Sequence, residues 1–220
     1  MTLRQSLLQS IEALKKEVTD MADLALANLR EGLTAFKNSD HKLANEVIRK
    51  DDEVDSYEEE IAKMALKIIW KEQPVASDLR LVTGILKLIT DLERIGDHAC
   101  DIAEMTLHLE ENRNKRMLPL TSKMAEIVDD MVLSSIQALV KVDGDLARKV
   151  IDKDDEVDEL FQQLINKMTN ELKNEAIDPN DAIYILMVGK YFERVGDHAV
   201  NIAQWIIFMV SGTHKNTLLF

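Results

Sequence analysis

Two segments of this sequence each occur twice in the same order, and this duplication constrains the fold more than any other feature. Residues 40–55 and 143–158 agree at 11 of 16 positions. The pattern E-R-x-G-D-H-A occupies residues 93–99 and recurs at 193–199. The offset is 103 positions for the first pair and 100 for the second. Such self-similarity indicates that one supersecondary unit is used twice in the chain.

Apolar residues recur at helical spacing in both units, which we predict to cover residues 1–114 and 115–220. In the first segment, for example, Leu3, Leu7 and Ile11 fall on one helical face. Short polar turns separate the helical segments, so neighbouring helices are expected to run antiparallel. The sequence thus predicts an all-α fold of two pseudo-symmetric antiparallel three-helix bundles. The six predicted helices cover, approximately, residues 3–36, 40–73, 77–113, 120–142, 144–176 and 179–212.

The last helix of each unit carries oxygen-bearing side chains at every fourth position. These are Glu93, Asp97 and Asp101 in the first unit and Glu193, Asp197 and Asn201 in the second. Residues four apart on a helix lie nearly above each other, so each set forms one row. Adjacent carboxylates repel each other unless a cation lies between them. Hard cations prefer oxygen ligands, and a bound cation would remove the repulsion.

A second row of acids lies on the middle helix of each unit, at Asp51 and Asp55 and at Asp154 and Asp158. These residues follow the apolar stripe, where unpaired carboxylates are costly. Asp55 and Glu93 are each about 19 residues from the predicted turn between their helices, so they should lie side by side in an antiparallel pair. The sequence therefore predicts one metal-binding groove in each unit. The predicted metal ligands are Asp51, Asp55, Glu93, Asp97, Asp101, Asp154, Asp158, Glu193, Asp197 and Asn201.

The same acids could instead form a solvated stripe that pairs with nearby basic residues such as Arg94. For one unit alone we would favour that interpretation, but matched acid pairs in both units favour metal. We expect His98 and His198 to form hydrogen bonds at the edge of the core. Gly96 and Gly196 cost helix stability, so we expect each to permit close approach of a neighbouring helix or of a partner.

The net charge of −13 argues against binding to nucleic acid, whose phosphates require a basic surface. It also argues against electrostatic docking to anionic lipid and favours cations or basic partner surfaces. The single cysteine, Cys100, excludes an internal disulfide and is expected to be buried. The sequence has no signal peptide at its start and no apolar run long enough to span a bilayer, which predicts a cytoplasmic protein.

The doubled acidic patterns, together with P-V-A-S-D-L-R at residues 74–80, resemble the PhoU family of phosphate-uptake regulators. This resemblance covers nearly the whole chain. It implies two three-helix bundles that bind iron or zinc, or else manganese or magnesium. The sequence has no nucleophile elbow and no phosphate-binding loop, so we expect no catalytic residues. It also implies a homodimer that contacts a phosphate-sensing membrane histidine kinase and the ATPase subunit of a phosphate ABC transporter. Members of the family restrain the phosphate-starvation response and limit phosphate uptake. Residues 74–80 have no counterpart in the second unit.

Two other interpretations remain open from the sequence. One is a carboxylate-bridged helical metalloenzyme, although Gly96 and Gly196 occupy the positions where helical di-iron oxidases carry the histidine of Glu-x-x-His. The other is a purely structural helical protein. If the grooves do bind metal, the first should bind more tightly, because Asp101 is an acid where Asn201 is neutral. Glu59 in the first unit likewise corresponds to Gln162 in the second.

Overall fold

The computed structural model describes residues 3–109, 118–215 and 217–218, which contain eight helices and one short β-hairpin. The first half consists of α1 (Leu3–Asn38), α2 (His41–Arg49), α3 (Asp51–Glu72) and α4 (Ala76–His108). The second half consists of α5 (Leu118–Lys141), α6 (Gly144–Ile151), α7 (Asp154–Lys173) and α8 (Pro179–Ser211). The hairpin pairs β1 (Thr213–His214) with β2 (Thr217–Leu218). The predicted boundary at 114/115 lies outside the described residues.

The all-α prediction is confirmed, and each half follows the predicted path of three antiparallel segments. The middle segment is not one helix, however, because it is interrupted at Lys50 in the first half and at Asp152 and Lys153 in the second. Each interruption is followed at once by the sequence D-D-E-V-D. Three acids in the first turn favour a new helix N-terminus, where the helix dipole is positive. The structure therefore has eight helices in its described part where the sequence predicted six.

Aspartate side chains cap the N-termini of α2 and α8. The Asp40 side chain accepts a hydrogen bond from the backbone N–H of Leu43, as an N-cap does. Asp178 caps α8 through the N–H of Asn180, and Pro179 occupies the first turn. These caps fix the starting points of α2 and α8.

The two halves share one hydrophobic core. The most extensive helix–helix contact is between α4 and α8, one from each half, and α1 also packs against α5. Leu92 and Ile95 of α4 and Phe192 and Val195 of α8 are fully buried in the same apolar cluster. The two bundles therefore pack against each other around one continuous apolar cluster.

Helices α4 and α8 run antiparallel. Near the start of α4, the Arg80 Nε lies 3.5 Å from the carbonyl oxygen of Met209, close to the end of α8. Near the end of α4, the His108 ring stacks on Tyr184 with ring centroids 4.9 Å apart. The α3–α4 turn and the α7–α8 turn therefore lie at opposite ends of the molecule. A helix as long as α4, at 33 residues, spans about 50 Å.

The β-hairpin after α8 was not predicted from the sequence. Gly212 ends α8 with φ of 77°, in the left-handed region, and the chain then folds back. The His214 ring stacks on Trp205 of α8, with ring centroids 3.8 Å apart. Separately, none of the described helices combines the length and the apolar character needed to cross a bilayer.

Candidate metal centre

Three of the five predicted ligands of the first groove converge between α3 and α4. Asp55, Glu93 and Asp97 each place one carboxylate oxygen within 4.8 Å of the other two. The interruption at Lys50 sets the start of α3, and the antiparallel turn sets the height of Asp55 against α4. The arrangement presents three oxygen ligands of the kind that hard divalent cations bind.

Glu93 is the most deeply placed carboxylate of this group. Its Oε2 atom is buried and has no hydrogen-bond partner among the described residues. The Arg94 Nε lies 3.3 Å from that oxygen but does not donate a hydrogen bond to it. Burial and, secondarily, the neighbouring Asp97 carboxylate raise the pKa of Glu93 to about 6. An orphaned buried oxygen beside two other carboxylates fits the requirement for a cation.

Asp51, one turn before Asp55, lies beside the only cysteine. The Cys100 thiol donates to the Oδ1 atom of Asp51 over 3.2 Å. Burial and this carboxylate raise the pKa of the Cys100 thiol, so the thiol stays protonated as a donor. The burial of Cys100 was predicted, but its contact with a candidate ligand was not. Cys100 lies three residues after Asp97 on the same helix, and this spacing could have indicated that its thiol is near the candidate ligands.

Asp101 pairs with His98 on the side of α4 that faces α8. The His98 Nδ1 lies 2.8 Å from the Oδ2 atom of Asp101, and His98 is buried. This bears out the expected hydrogen-bonding role of His98. Asp101 does not belong to the converging group formed by Asp55, Glu93 and Asp97. Glu59 is also turned away, since it pairs with Lys63 at 2.8 Å on the exposed surface.

In the second groove Asp158, Glu193 and Asp197 lie near enough to Asp154 to affect its pKa, but among the described residues only the first groove brings three acidic ligand atoms within 4.8 Å of one another. Burial is the main cause that raises the pKa of Asp154 to about 6, and the carboxylates of Asp197, Asp158 and Glu193 raise it further. Burial and Glu193 likewise raise the pKa of Asp197. In the second groove the carboxylate whose pKa rises to about 6 is Asp154 of α7, whereas in the first groove it is Glu93 of α4.

Basic side chains partly neutralise both grooves. Arg94 donates to Asp97 over 2.5 Å in the first groove, as the sequence suggested for an arginine one turn away. In the second groove Lys190 donates to Glu193, a contact that the sequence analysis missed. The spacing of three residues between Lys190 and Glu193 would have indicated it. A cation that entered either groove would compete with these side chains.

Asn201 and His198 contact the first half. The Asn201 Nδ2 donates to the Oδ1 atom of Asp91 over 3.1 Å, and the His198 Nδ1 lies 2.9 Å from the same oxygen. The hydrogen-bonding role expected for His198 is thus present. Asp91 was missed because its partners lie more than 100 positions away, and no local pattern identifies such a contact.

The two glycines of the repeated pattern face the acid-bearing helices. A Cβ atom on Gly96 would lie 3.3 Å from the Cγ atoms of Val54, and one on Gly196 would lie 3.3 Å from the Oδ1 of Asp154. Both distances are tighter than ordinary van der Waals contact, so the expected close approach is confirmed. At Gly196 this approach brings a carboxylate of α7 against α8.

Comparison with known proteins assigns both halves to one domain type. The family model of the PhoU domain matches residues 18–106 and again 121–206. A relative from Clostridium acetobutylicum is 32% identical over 92% of this chain and 93% of its own length. A relative from Aquifex aeolicus is 35% identical over 86% of this chain and 85% of its own. Both are described as homologues of the phosphate-specific transport system accessory protein PhoU.

Two crystal structures share the architecture. PhoU from Pseudomonas aeruginosa superimposes with a TM-score of 0.89 at 30% identity, over 93% of this chain and 99% of that one. The phosphate transport system regulatory protein PhoU from Streptococcus pneumoniae also gives 0.89, over 96% and 100%, at 22% identity. At that lower identity the likeness concerns the fold alone.

Proposed function

This chain belongs to the PhoU family, and from that premise we propose that it is a cytoplasmic regulator of phosphate uptake that restrains the phosphate-starvation response. It acts by contacting a phosphate-sensing histidine kinase and the ATPase subunit of a phosphate ABC transporter. The names of its relatives, which are accessory proteins of phosphate-specific transport systems, support this role. Self-association as a homodimer and the absence of nucleic-acid partners belong to the same proposal.

The regulator carries metal in its two grooves. The observation that supports this most strongly is the convergence of Asp55 and Asp97 on Glu93, whose buried Oε2 atom receives no hydrogen bond from the described residues. Iron and zinc are the proposed ions, ahead of manganese and magnesium. A bound cation would neutralise carboxylates that repel each other, and it would join α3 to α4 and α7 to α8. All ten predicted ligands, including Asp51, Asp101 and Asn201, remain part of this proposal.

The protein acts through contacts and has no turnover of its own. Its relatives are named as accessory or regulatory proteins. The metalloenzyme interpretation requires histidine ligands beside the carboxylates. His98 is instead bonded to Asp101 and His198 to Asp91, and neither is in the group of Asp55, Glu93 and Asp97. Phosphatase or oxidase activity that disappears on Glu93→Gln would contradict this part of the proposal.

Deletion of the gene in its native host tests the regulatory role. We expect phosphate-starvation genes to be expressed in phosphate-rich medium, and wild-type protein to restore their repression. The variant Glu93→Gln removes one groove carboxylate, and Glu104→Gln removes an exposed carboxylate from the same helix as a matched control. Unchanged expression after deletion would exclude the regulatory role.

Metal analysis of the purified protein tests the metal site separately. We expect bound iron or zinc in the wild type and in Glu104→Gln, and less metal in Glu93→Gln. A protein that restores repression but never contains or binds metal would retain the regulatory role and exclude the metal site.

A further inference from the structure

Cys100 is the only cysteine of the chain, and its side chain packs against the junction of α2 and α3. Its Sγ atom lies 3.2 Å from the Oδ1 atom of Asp51, the first residue of α3, and 3.7 Å from the carbonyl oxygen of Val47 in α2. Burial raises the pKa of the thiol, so the thiol is protonated at neutral pH. A protonated thiol is a hydrogen-bond donor, and here it holds one oxygen of a proposed metal ligand.

Asp51 borders the converging carboxylates of the first groove without joining them. Burial raises the pKa of Asp55, and the carboxylates of Asp51 and Asp97 raise it further, so Asp51 is close enough to repel this group. Among the described residues, however, the ligand atoms that converge belong to Asp55, Glu93 and Asp97. Asp51 lies one turn before Asp55 on the same face of α3, so rotation of its side chain can bring its carboxylate nearer.

The second half has no donor at the corresponding place, because Val200 occupies the position of Cys100. No thiol therefore holds Asp154, which is the counterpart of Asp51. Burial raises the pKa of Asp154 to about 6, and the carboxylate of Asp197 is the next largest cause. The aspartate that lacks a thiol partner thus lies close to the acids of α8.

The two glycines of the repeated pattern show that these aspartates are placed differently. The Oδ1 atom of Asp154 lies 3.3 Å from the position that a Cβ atom on Gly196 would take. At Gly96 the three atoms nearest to the matching position all belong to Val54. The aspartate of the second half therefore lies against the backbone of α8, whereas that of the first half is bonded to the thiol one turn further along α4.

We propose that Cys100 is a positioning residue that holds Asp51 back from the first groove, and that a cation must break this hydrogen bond to recruit Asp51. The inference rests on the proposed metal site, and it names a device that adjusts affinity in the first half alone. The thiol acts through Asp51 and is not itself a ligand. Its hydrogen bond lowers the repulsion among the acids of the metal-free groove, and it weakens binding because it competes for one carboxylate.

Metal titration of Cys100 variants tests this competition. Zinc and ferrous iron are the probes, and Glu193→Gln is present throughout to weaken the second groove. Cys100→Val introduces the residue of the second half, Cys100→Ala removes the donor without adding volume, and Cys100→Ser keeps a donor. The two variants without a donor should bind metal about fivefold more tightly than the parent chain, the factor that one ordinary hydrogen bond contributes. Cys100→Ser should bind no more tightly than the parent chain.

The reciprocal change adds a thiol to the second half. With Glu93→Gln present to weaken the first groove, Val200→Cys should draw Asp154 away and weaken the second site by about fivefold. The control Val200→Ala changes the same position without adding a donor and should bind like its parent chain. Equal affinity in the two variants, or tighter binding in Val200→Cys, would overturn the proposal.

The S–H stretching vibration in the infrared spectrum reports the hydrogen bond directly, because the chain has one thiol. In the metal-free protein the band should lie at the lower wavenumber of a bonded thiol. Asp51→Asn should raise the wavenumber, since a neutral amide oxygen is a weaker acceptor than a carboxylate. Zinc should raise it in the same way in the wild type. Disappearance of the band with zinc would make the thiol a ligand, and an unmoved band would mean that Asp51 is not recruited. Either result would overturn the proposal.

The remaining outcomes separate this inference from the metal site on which it rests. Equal affinity in Cys100→Val, Cys100→Ala and their parent chain would exclude the role of Cys100 and leave the metal site intact. Weaker binding in both variants would show that the thiol orients Asp51 for the metal, which contradicts the competition. A chain that binds neither zinc nor iron would exclude both the site and the inference. Circular dichroism checks that each variant keeps the helical content of the wild type.

Discussion

The two grooves contain matching acids, yet their carboxylates are placed and neutralised differently. In the first groove the acid whose pKa burial raises to about 6 is Glu93 of α4, and the nearby base is Arg94, which pairs with Asp97. In the second groove burial raises the pKa of Asp154 of α7 to about 6, and the base is Lys190, which pairs with Glu193. Duplication has preserved the acids while the residues around them have changed. The two candidate sites should therefore differ in affinity for a second reason, besides the replacement of Asp101 by Asn201 in the second row.

Removal of one carboxylate from each groove should give the largest effect. Glu93→Gln removes the proposed ligand whose buried oxygen has no hydrogen-bond partner among the described residues. We expect affinity at the first site to fall by about 100-fold, the upper end of what the loss of even an outer partner costs. Glu193→Gln should do the same to the second site only. Calorimetric titration with zinc measures both. Loss at both sites from either change would show that the grooves do not bind independently.

The pH dependence should distinguish free from metal-bound protein. The pKa of Glu93 rises from 4.5 to about 6 on folding, and that of Asp154 rises from 3.8 to about 6. The folded state then binds more protons than the unfolded state in this window. The contribution of these groups to the free energy of unfolding is therefore largest at low pH and is lost as pH rises to about 6.

Bound metal favours the ionised carboxylates and should remove this loss. Below about pH 6, metal affinity should fall by about tenfold per pH unit for each proton released. Urea unfolding between pH 4 and 8, with and without zinc, measures both effects. Glu93→Gln/Asp154→Asn should flatten the profile of the metal-free protein. An unaltered profile in that variant would assign the pH dependence to other groups.

Substitution of Gly96 or Gly196 by alanine should change the metal affinity of the two grooves to different extents. Gly196→Ala places a Cβ atom against the Asp154 carboxylate, so we expect affinity at the second site to fall by about tenfold. Gly96→Ala places its Cβ atom against the apolar side chain of Val54 and should leave the first site nearly unchanged. Metal titration of the two variants gives the comparison. Equal losses would mean that helix spacing, and not carboxylate position, controls affinity.

An exchange at the last position of each row tests the predicted difference in charge. Asp101→Asn should weaken the first site, and Asn201→Asp should strengthen the second, by less than about tenfold each. The second change also faces Asp91 with a carboxylate instead of an amide donor, so the metal-free protein should lose stability. Titration and thermal unfolding measure the two effects. If affinity does not change in either variant, neither residue is a ligand.

The smallest effect should come from the bases. Arg94→Gln and Lys190→Gln remove the side chains that compete with a cation, so each should tighten its own site by a few-fold. Weaker binding in Arg94→Gln would instead give Arg94 a role in positioning Asp97. The same titrations provide the measurement.

Much of this arrangement follows from the sequence. The duplication and the helical spacing predicted the all-α fold, the antiparallel path and the height at which Asp55 meets Glu93. Counting along helices works because their rise is fixed at 1.5 Å per residue. The interruption at Lys50 was missed, because apolar spacing continues through it and only the acidic run D-D-E-V-D marks a new helix.

Contacts between the halves could not be predicted. The pairing of Asp91 with His198 and Asn201 depends on how α4 crosses α8, and helical periodicity does not specify the partner of an apolar face. The same is true of the shared core, since two separate bundles would bury similar residues. For this reason the sequence predicted that Asp55, Glu93 and Asp97 lie close together, but it did not predict the contacts of Asp101 and Asn201.

The crossing of α4 and α8 has the geometry of an isologous interface. Positions 91 and 98 of the first half correspond to 191 and 198 of the second. His98 packs on Tyr191, and His198 bonds to Asp91, so the same pair of positions meets twice. Between them the rings of His98 and His198 lie 5.5 Å apart, near the pseudo-two-fold axis. This is the pattern of a symmetric homodimer, in which residue i of one subunit contacts residue j of the other and the reverse. The monomer is built as a fused dimer, and fusion has freed each formerly identical position, such as Asp91 and Tyr191, to change alone.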